Sequence, residues 1–183
     1  IQTFNATTVG HEKTAAFLNS LPMLVDELQL AKDARGRLNF NVYSLAQGVG
    51  RTRGTRLGGL EKTPTWANCI LTTGESPLTT SGDGAGALNR VIDIECRQQE
   101  QVISDGMRIS GELKRNFGHA GRQFVRSLYA PGNMEQVQRL YQEAFRSLSE
   151  RDTTEKQAMA AAMIVVADAL ATLWIFRDDR ALT

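Results

Sequence analysis

The sequence predicts an α/β chain in two parts, a first half of parallel strands and loops followed by an all-helical second half. Three observations carry this reading. Ten of the 16 glycines fall between Gly36 and Gly86, and none occurs from Asn133 onward. Two short apolar runs in the first half end in polar residues: Pro22-Met23-Leu24-Val25 ahead of Asp26-Glu27, and Cys69-Ile70-Leu71-Thr72-Thr73 ahead of Gly74. That form predicts parallel strands buried on both faces. In the second half, Ala158, Met159, Ala162, Met163, Val166, Ala167, Leu170 and Leu173-Trp174 recur at helical spacing, which predicts a core-packing stripe.

The remaining elements follow in order. Ala15-Ala16-Phe17-Leu18 predicts a short helix between Glu12 and Leu21, and Phe40, Val42, Tyr43 and Leu45-Ala46 a short element of open type. Arg90-Val91-Ile92-Asp93-Ile94-Glu95-Cys96 alternates with period two and is a third strand candidate. A break at Arg97 to Gln101 separates residues 1–98 from a helical region, 99–183. There, helices are expected from about Val102 to Tyr129, with Gly118 as a candidate break, from Met134 to Ser149, and from Thr153 to Phe176. Asp152-Thr153-Thr154-Glu155 has the form of a capping box for the last.

Composition narrows the function. The 183 residues are 42% hydrophobic and 22% charged, which excludes a disordered chain, and the formal charge of +1 excludes a global basic excess. Cys69 and Cys96 lie 27 positions apart with no companion at metal spacing, so buried free thiols in a reducing cytoplasm are expected. No apolar stretch is expected to reach the ~20 residues that span a bilayer, so a soluble, cytoplasmic chain is expected. The chain opens at Ile1 with its first Met at Met23, so a piece of a longer protein is expected.

Four segments can carry chemistry. Leu21-Pro22-Met23-Leu24-Val25-Asp26-Glu27 has the form of a Walker B strand, in which Asp26 holds Mg²⁺ through its water shell and Glu27 polarises an attacking water. An ordinary acidic strand end has the same form. Thr72-Thr73-Gly74-Glu75-Ser76 places hydroxyls at a strand lip where ligands of open sheets bind, or simply makes a turn with hydroxyls on its own backbone. Arg90 starts its strand facing either a neighbouring subunit or a surface carboxylate, Glu95 or Asp93. Residues 32–62 hold Lys32, Arg35, Arg37, Arg51, Arg53, Arg56 and Lys62 against Asp33 and Glu61, a net of +5 that leaves −4 for the rest. Arg51, Arg53 and Arg56, loosely held among Gly54, Gly58 and Gly59, suggest a mobile hairpin over 48–66 that grips phosphates without reading bases, or a solvated loop. No Gly-x-x-x-x-Gly-Lys-Ser/Thr occurs, and Gly10-His11-Glu12-Lys13-Thr14 lacks the glycine-rich approach of a P-loop. His11 and His119 have no partner spacing for a triad or metal site.

Phe4-Asn5-Ala6-Thr7, Leu21 to Leu28, Gly48-Val49-Gly50-Arg51-Thr52-Arg53, Trp66 to Glu75 and Asn89-Arg90-Val91-Ile92-Asp93-Ile94 together resemble a family. It is the helicase-like P-loop ATPase domain catalogued as domain of unknown function 927, carried by phages, plasmids and other mobile elements. The resemblance reaches to about residue 130 and is specific from Phe4 to Cys96. It implies a P-loop NTPase core fragment, AAA+-like, starting after the Walker A motif and followed by a helical lid.

By that resemblance Asp26 is the Mg²⁺ carboxylate, Glu27 the water-activating base, and Thr73, with Thr72 as alternative, the sensor of the γ-phosphate. Arg90 is the arginine that crosses to a neighbour's nucleotide, and Arg122 a second sensor on the lid. Arg51, Arg53 and Arg56 contact DNA in the channel of a homo-oligomeric ring. The cofactors are ATP and Mg²⁺ in the parent protein. Without a Walker A lysine, the chain alone is expected not to hydrolyse ATP appreciably. The alternative is a non-enzymatic module for nucleic-acid binding or oligomerisation.

Overall fold

A computed structural model describes residues 1–31, 42–79, 84–96, 103–151 and 154–177. Lys32, Arg35, Arg37 and Phe40 lie outside the described residues, as do Asp152 and Thr153. The chain divides into two compact units, Ile1–Glu95 and Cys96–Thr183.

The first unit is α/β. Strand β1 (Gln2–Thr3), β2 (Met23–Asp26) and β3 (Ile70–Thr72) form one parallel sheet in the order β1-β2-β3. Register sets Gln2 opposite Val25, Leu24 opposite Leu71 and Val25 opposite Thr72. Helix α1 (Thr8–Leu18) links β1 to β2. Thr7 starts it from extended backbone, its hydroxyl accepting the Gly10 N–H at 3.1 Å, which satisfies one of the donors a helix start leaves open. Asn19, at φ 55°, ends it. A 3₁₀ turn (Leu28–Ala31), α2 (Val42–Ala46) and α3 (Ala85–Leu88) complete the regular elements among the described residues of this unit.

The core joins Phe4, Ala15, Met23, Val25, Leu28, Leu45 and Trp66, with Ile70 and Leu78 packed against it. Trp66 buries its ring and still satisfies its indole N–H, which donates to the Leu45 carbonyl at 2.8 Å.

This core covers one face of the sheet. Met23 and Val25 are buried, but Leu24 is 45% exposed and its register partner Leu71 52% exposed. The expectation of strands buried on both faces is therefore corrected: apolar residues at every position do not imply cover on both sides. The same alternation overturns the expectation for Cys69, which shares the outward phase of Leu71 and is exposed; Cys96 is exposed too, and both thiols are free.

Residues 91–96 form no strand. The carboxylate of Asp93 instead accepts the Thr79 hydroxyl at 2.9 Å and the Leu78 N–H at 3.3 Å, so side-chain bonds replace a ladder, and Ile92 and Ile94 stay exposed. Period-two alternation survives here as pattern without pairing.

The second unit is helical: α4 (Gly106–Arg115), α5 (His119–Leu128), α6 (Asn133–Ser149) and α7 (Glu155–Ala171), the last running on into a π-helical turn (Thr172–Phe176). Gly118 and Gly132, at φ 78° and 82°, supply the left-handed residues that start α5 and α6. The cap of α7 stands at Thr154, whose hydroxyl accepts the Gln157 N–H while the Gln157 amide oxygen accepts the Thr154 N–H. The capping box thus pairs Thr154 with Gln157, while Asp152, the cap expected from the sequence, lies outside the described residues.

Along α7, Ala158, Ala162, Val166 and Leu170 are buried, whereas Met159, Met163 and Leu173 are exposed, so half of the expected stripe packs. Trp174 meets Phe124 of α5 with ring centroids 5.5 Å apart. Glu155–Phe176 is 22 residues long with a mean hydropathy of 2.1 over its most apolar window, long and apolar enough to cross a membrane by length and composition. That corrects the expectation that no such stretch exists: Asp168 is the single charge between Ala158 and Phe176.

Candidate functional site

Parallel strands deliver their C-terminal ends to one lip, and here β2 and β3 deliver Asp26 and Thr73. Register carries Thr73 beside Asp26: its N–H donates to the Val25 carbonyl at 3.2 Å, and its hydroxyl donates to Asp26 Oδ1. The Glu27 N–H donates to the same oxygen at 2.9 Å. Among the described residues both hydrogen bonds to the Asp26 carboxylate fall on Oδ1. Leu28 N–H donates to the Thr73 carbonyl at 3.0 Å, and Phe4 N–H to the Asp26 carbonyl at 3.0 Å, so the lip is tied to both neighbouring chain segments.

Glu27 is exposed and its backbone lies at φ 62°. L-residues avoid that region, and residues held there concentrate at functional sites. The turn ends the extended path of β2 immediately after Asp26 and is followed by Leu28, which is buried in the core.

Thr72 pairs with Val25 within the ladder, one residue before the lip, and Thr73 is the hydroxyl that meets Asp26. Among the described residues no group of three or more His, Cys, Asp or Glu is placed to hold a metal ion. A Mg²⁺ at this lip would therefore draw most of its ligands from water and phosphate, the usual arrangement for that ion, and a strand-end carboxylate bonded through one oxygen fits it.

Arg90 follows α3 and stays with its own unit. Its guanidinium carbon sits 5.2 Å from the centroid of the Tyr43 ring, and Nη1 donates to the Gly86 carbonyl. A Cβ at Gly86 would come within 2.8 Å of the Tyr43 hydroxyl, so the glycine permits this approach. Without the strand expected over 90–96, Arg90 opens no strand. Arg122 stands exposed on α5 of the second unit.

Residues 48–66 form a hairpin-like excursion. Val49 bridges Thr65 and Gly54 bridges Leu60, both antiparallel, and Trp66 N–H donates to the Gly48 carbonyl at 2.9 Å. The Gly58 and Gly59 φ angles of 87° and 94° turn the tip, where Leu57 is 99% exposed. Arg51 and Arg56 are exposed. Arg53 is not loosely held as the glycine spacing suggested: Nη2 donates to Glu12 Oε2 at 2.7 Å, and the Glu12 side chain is 0% exposed.

Glu12 and Tyr43 were not legible as partners of the candidate residues, and Asp93, offered as a carboxylate for Arg90, instead accepts from Thr79 and Leu78. The signal for Glu12 was a carboxylate three positions before Ala15 on the buried side of α1, a place where a charge requires a cation. Next to it, His11 is buried within 6.0 Å of the Phe4 ring, and that burial pushes its pKa below the ordinary 6.5.

Residues 1–66 match the family described as Domain of unknown function (DUF927), which supports that family for the stretch from β1 to Trp66. The match includes Asp26, Glu27 and the three hairpin arginines, and it ends before β3, Arg90 and Arg122. No curated protein and no solved structure matches the chain.

Proposed function

We propose that this chain contributes the metal-and-water half of an ATP site in a DNA helicase or translocase-like ATPase of a mobile genetic element. The single observation that carries the reading is the lip of β2 and β3: a carboxylate, a hydroxyl bonded to it, and a second carboxylate on a left-handed residue immediately after. In this reading Asp26 orients the water shell of Mg²⁺ and Thr73 fixes the Asp26 carboxylate. Glu27 takes the proton of the attacking water, and a Mg²⁺ held at Asp26 would supply charge neutralisation for the phosphates. Thr73, one hydroxyl away from Asp26, is the preferred sensor over Thr72. Arg90 as a trans-acting arginine requires release from Tyr43 and Gly86, and Arg122 as a lid sensor rests on the resemblance alone. Arg51 and Arg56 supply cations for the phosphates of DNA, in a homo-oligomeric ring.

Glu27→Gln, made in the natural protein that carries these residues, tests the site. The amide keeps shape but cannot accept the proton, so ATP binding should persist while turnover falls by roughly 10²–10⁴-fold. Undiminished hydrolysis would move the base elsewhere. The second reading, a non-enzymatic nucleic-acid module, is favoured by the exposure of Arg51 and Arg56 on the hairpin. It predicts DNA binding with no ATPase activity before or after the substitution.

A further inference from the structure

We infer that Glu12 is a positioning residue for the hairpin, holding Arg53 as part of the stem, so that of the three hairpin arginines Arg51 and Arg56 present their charge to phosphates and Arg53 does not. The inference rests on the nucleic-acid reading for its second half only. Its first half follows from burial and geometry.

A carboxylate with no exposure carries a large desolvation cost, tolerable only beside a cation. Arg53 is that cation: its Nη2 lies 2.7 Å from Oε2, and Glu12 Oε1 has no hydrogen-bond partner among the described residues. Drawing Arg53 out toward a phosphate would leave the Glu12 charge buried and bare. Arg53 is therefore committed to α1, although sequence spacing makes it equivalent to Arg51 and Arg56.

The same residue is also committed to the hairpin. Its carbonyl accepts the Glu61 N–H at 2.8 Å, beside the bridge of Gly54 with Leu60. Arg53 thus joins the ladder through its backbone and α1 through its side chain. Gly50 lets the parts meet: a Cβ there would lie 2.6 Å from Pro64 Cγ and 3.3 Å from Glu12 Oε2. Everything beyond Arg53, including Arg56 and Leu57, projects from a fixed base, whereas Arg51 lies exposed beside it.

Hydrogen exchange over residues 48–66 of the whole chain reads the clamp without any ligand. Arg53→Gln and Glu12→Gln should each speed exchange of the stem amides, Gly50 and Glu61, on the order of tenfold or more while amides of α6 and α7 stay unchanged. Arg53→Lys keeps the cation and loses the planar fork, so it should give an intermediate rate, and it remains readable if either charge-removing variant fails to fold. Stem exchange at the wild-type rate in Arg53→Lys and Arg53→Gln would overturn the clamp. Binding to a DNA oligonucleotide at several salt concentrations then reads the division of labour. Arg51→Gln and Arg56→Gln should each flatten the slope of log affinity on log salt by about 0.7–0.9, and Arg53→Gln should leave the slope alone. A flatter slope in Arg53→Gln would make Arg53 a phosphate contact and refute the division. If the wild-type chain does not bind DNA at all, the nucleic-acid reading fails and the exchange result still decides whether Glu12 fixes the stem.

Discussion

Replacing Gly74 by alanine should strike the candidate lip through packing alone. A Cβ at residue 74 would stand 2.5 Å from Leu28 Cβ, 3.4 Å from its Cδ2 and 3.5 Å from its Cγ. The nearest of these atoms is fixed by the backbone, so no rotamer of Leu28 relieves the clash; the chain must move at residue 74, at residue 28, or at both. Both positions are stitched together, since Leu28 N–H donates to the carbonyl of Thr73, and Thr73 in turn bonds Asp26. Overpacking of this kind costs about 1–3 kcal/mol, offset by roughly 0.4–1 kcal/mol from the smaller conformational freedom of unfolded alanine. A net loss of about 1–2 kcal/mol in a unit of this size lowers the melting temperature by roughly 4–16 °C. Urea unfolding followed by Trp66 fluorescence, in a Trp174→Phe background, measures it, with the slope on denaturant unchanged. Gly10→Ala is the control, because its Cβ would meet nothing nearer than 3.4 Å inside a helix, and it should be neutral or stabilising. A Gly74→Ala chain as stable as its parent would refute the tight stitching of the two strand ends.

Two further outcomes concern the rest of the chain. Burial holds the folded pKa of His11 below its ordinary 6.5, so the unfolded chain binds more protons near and below that pH. The stabilisation from keeping His11 neutral is therefore complete above about pH 6.5 and is lost as pH falls through the lowered folded value, with a slope of at most about 1.4 kcal/mol per pH unit. Denaturant unfolding at several pH values should show a steeper acid decline for the parent than for His11→Gln, and equal declines would count against it. Thr154→Ala removes the cap of α7 and should cost about 1 kcal/mol, read as faster amide exchange in the first turn of that helix; unchanged exchange would mean the capping box is not holding it.

The strand carrying Asp26 and its parallel neighbour leading into Thr73 were legible because an apolar run that stops at polar residues encodes both burial and a lip. What sequence could not resolve was the partner of each element. Leu24 and Leu71 look as buried as Met23 and Val25 until the single covered face is known. Arg90-Val91-Ile92-Asp93 alternates as a strand should, yet Asp93 spends its acceptors on Thr79 and Leu78. Three arginines at similar spacing read alike, and only the fold shows that one of them faces a buried carboxylate 41 residues earlier. Strand β1 is two residues long, too short for periodicity to declare it. That Thr154 caps α7 turned on which oxygen stands three residues before a reciprocating side chain, a question of two positions that composition does not answer.

Glu27 keeps a side chain that its backbone does not favour. In the left-handed region glycine would sit without the steric cost of roughly 1–2 kcal/mol that an L-residue bears, so the fold alone would select Gly at this position. Stability and the role proposed for Glu27 as the base thus pull in opposite directions on one residue. A library screened only for folded, soluble protein should drift at position 27 toward glycine and asparagine, whereas a library of the natural protein that carries these residues, screened for turnover, should hold the carboxylate under the proposed role, so the substitutions recovered there report which pressure acted.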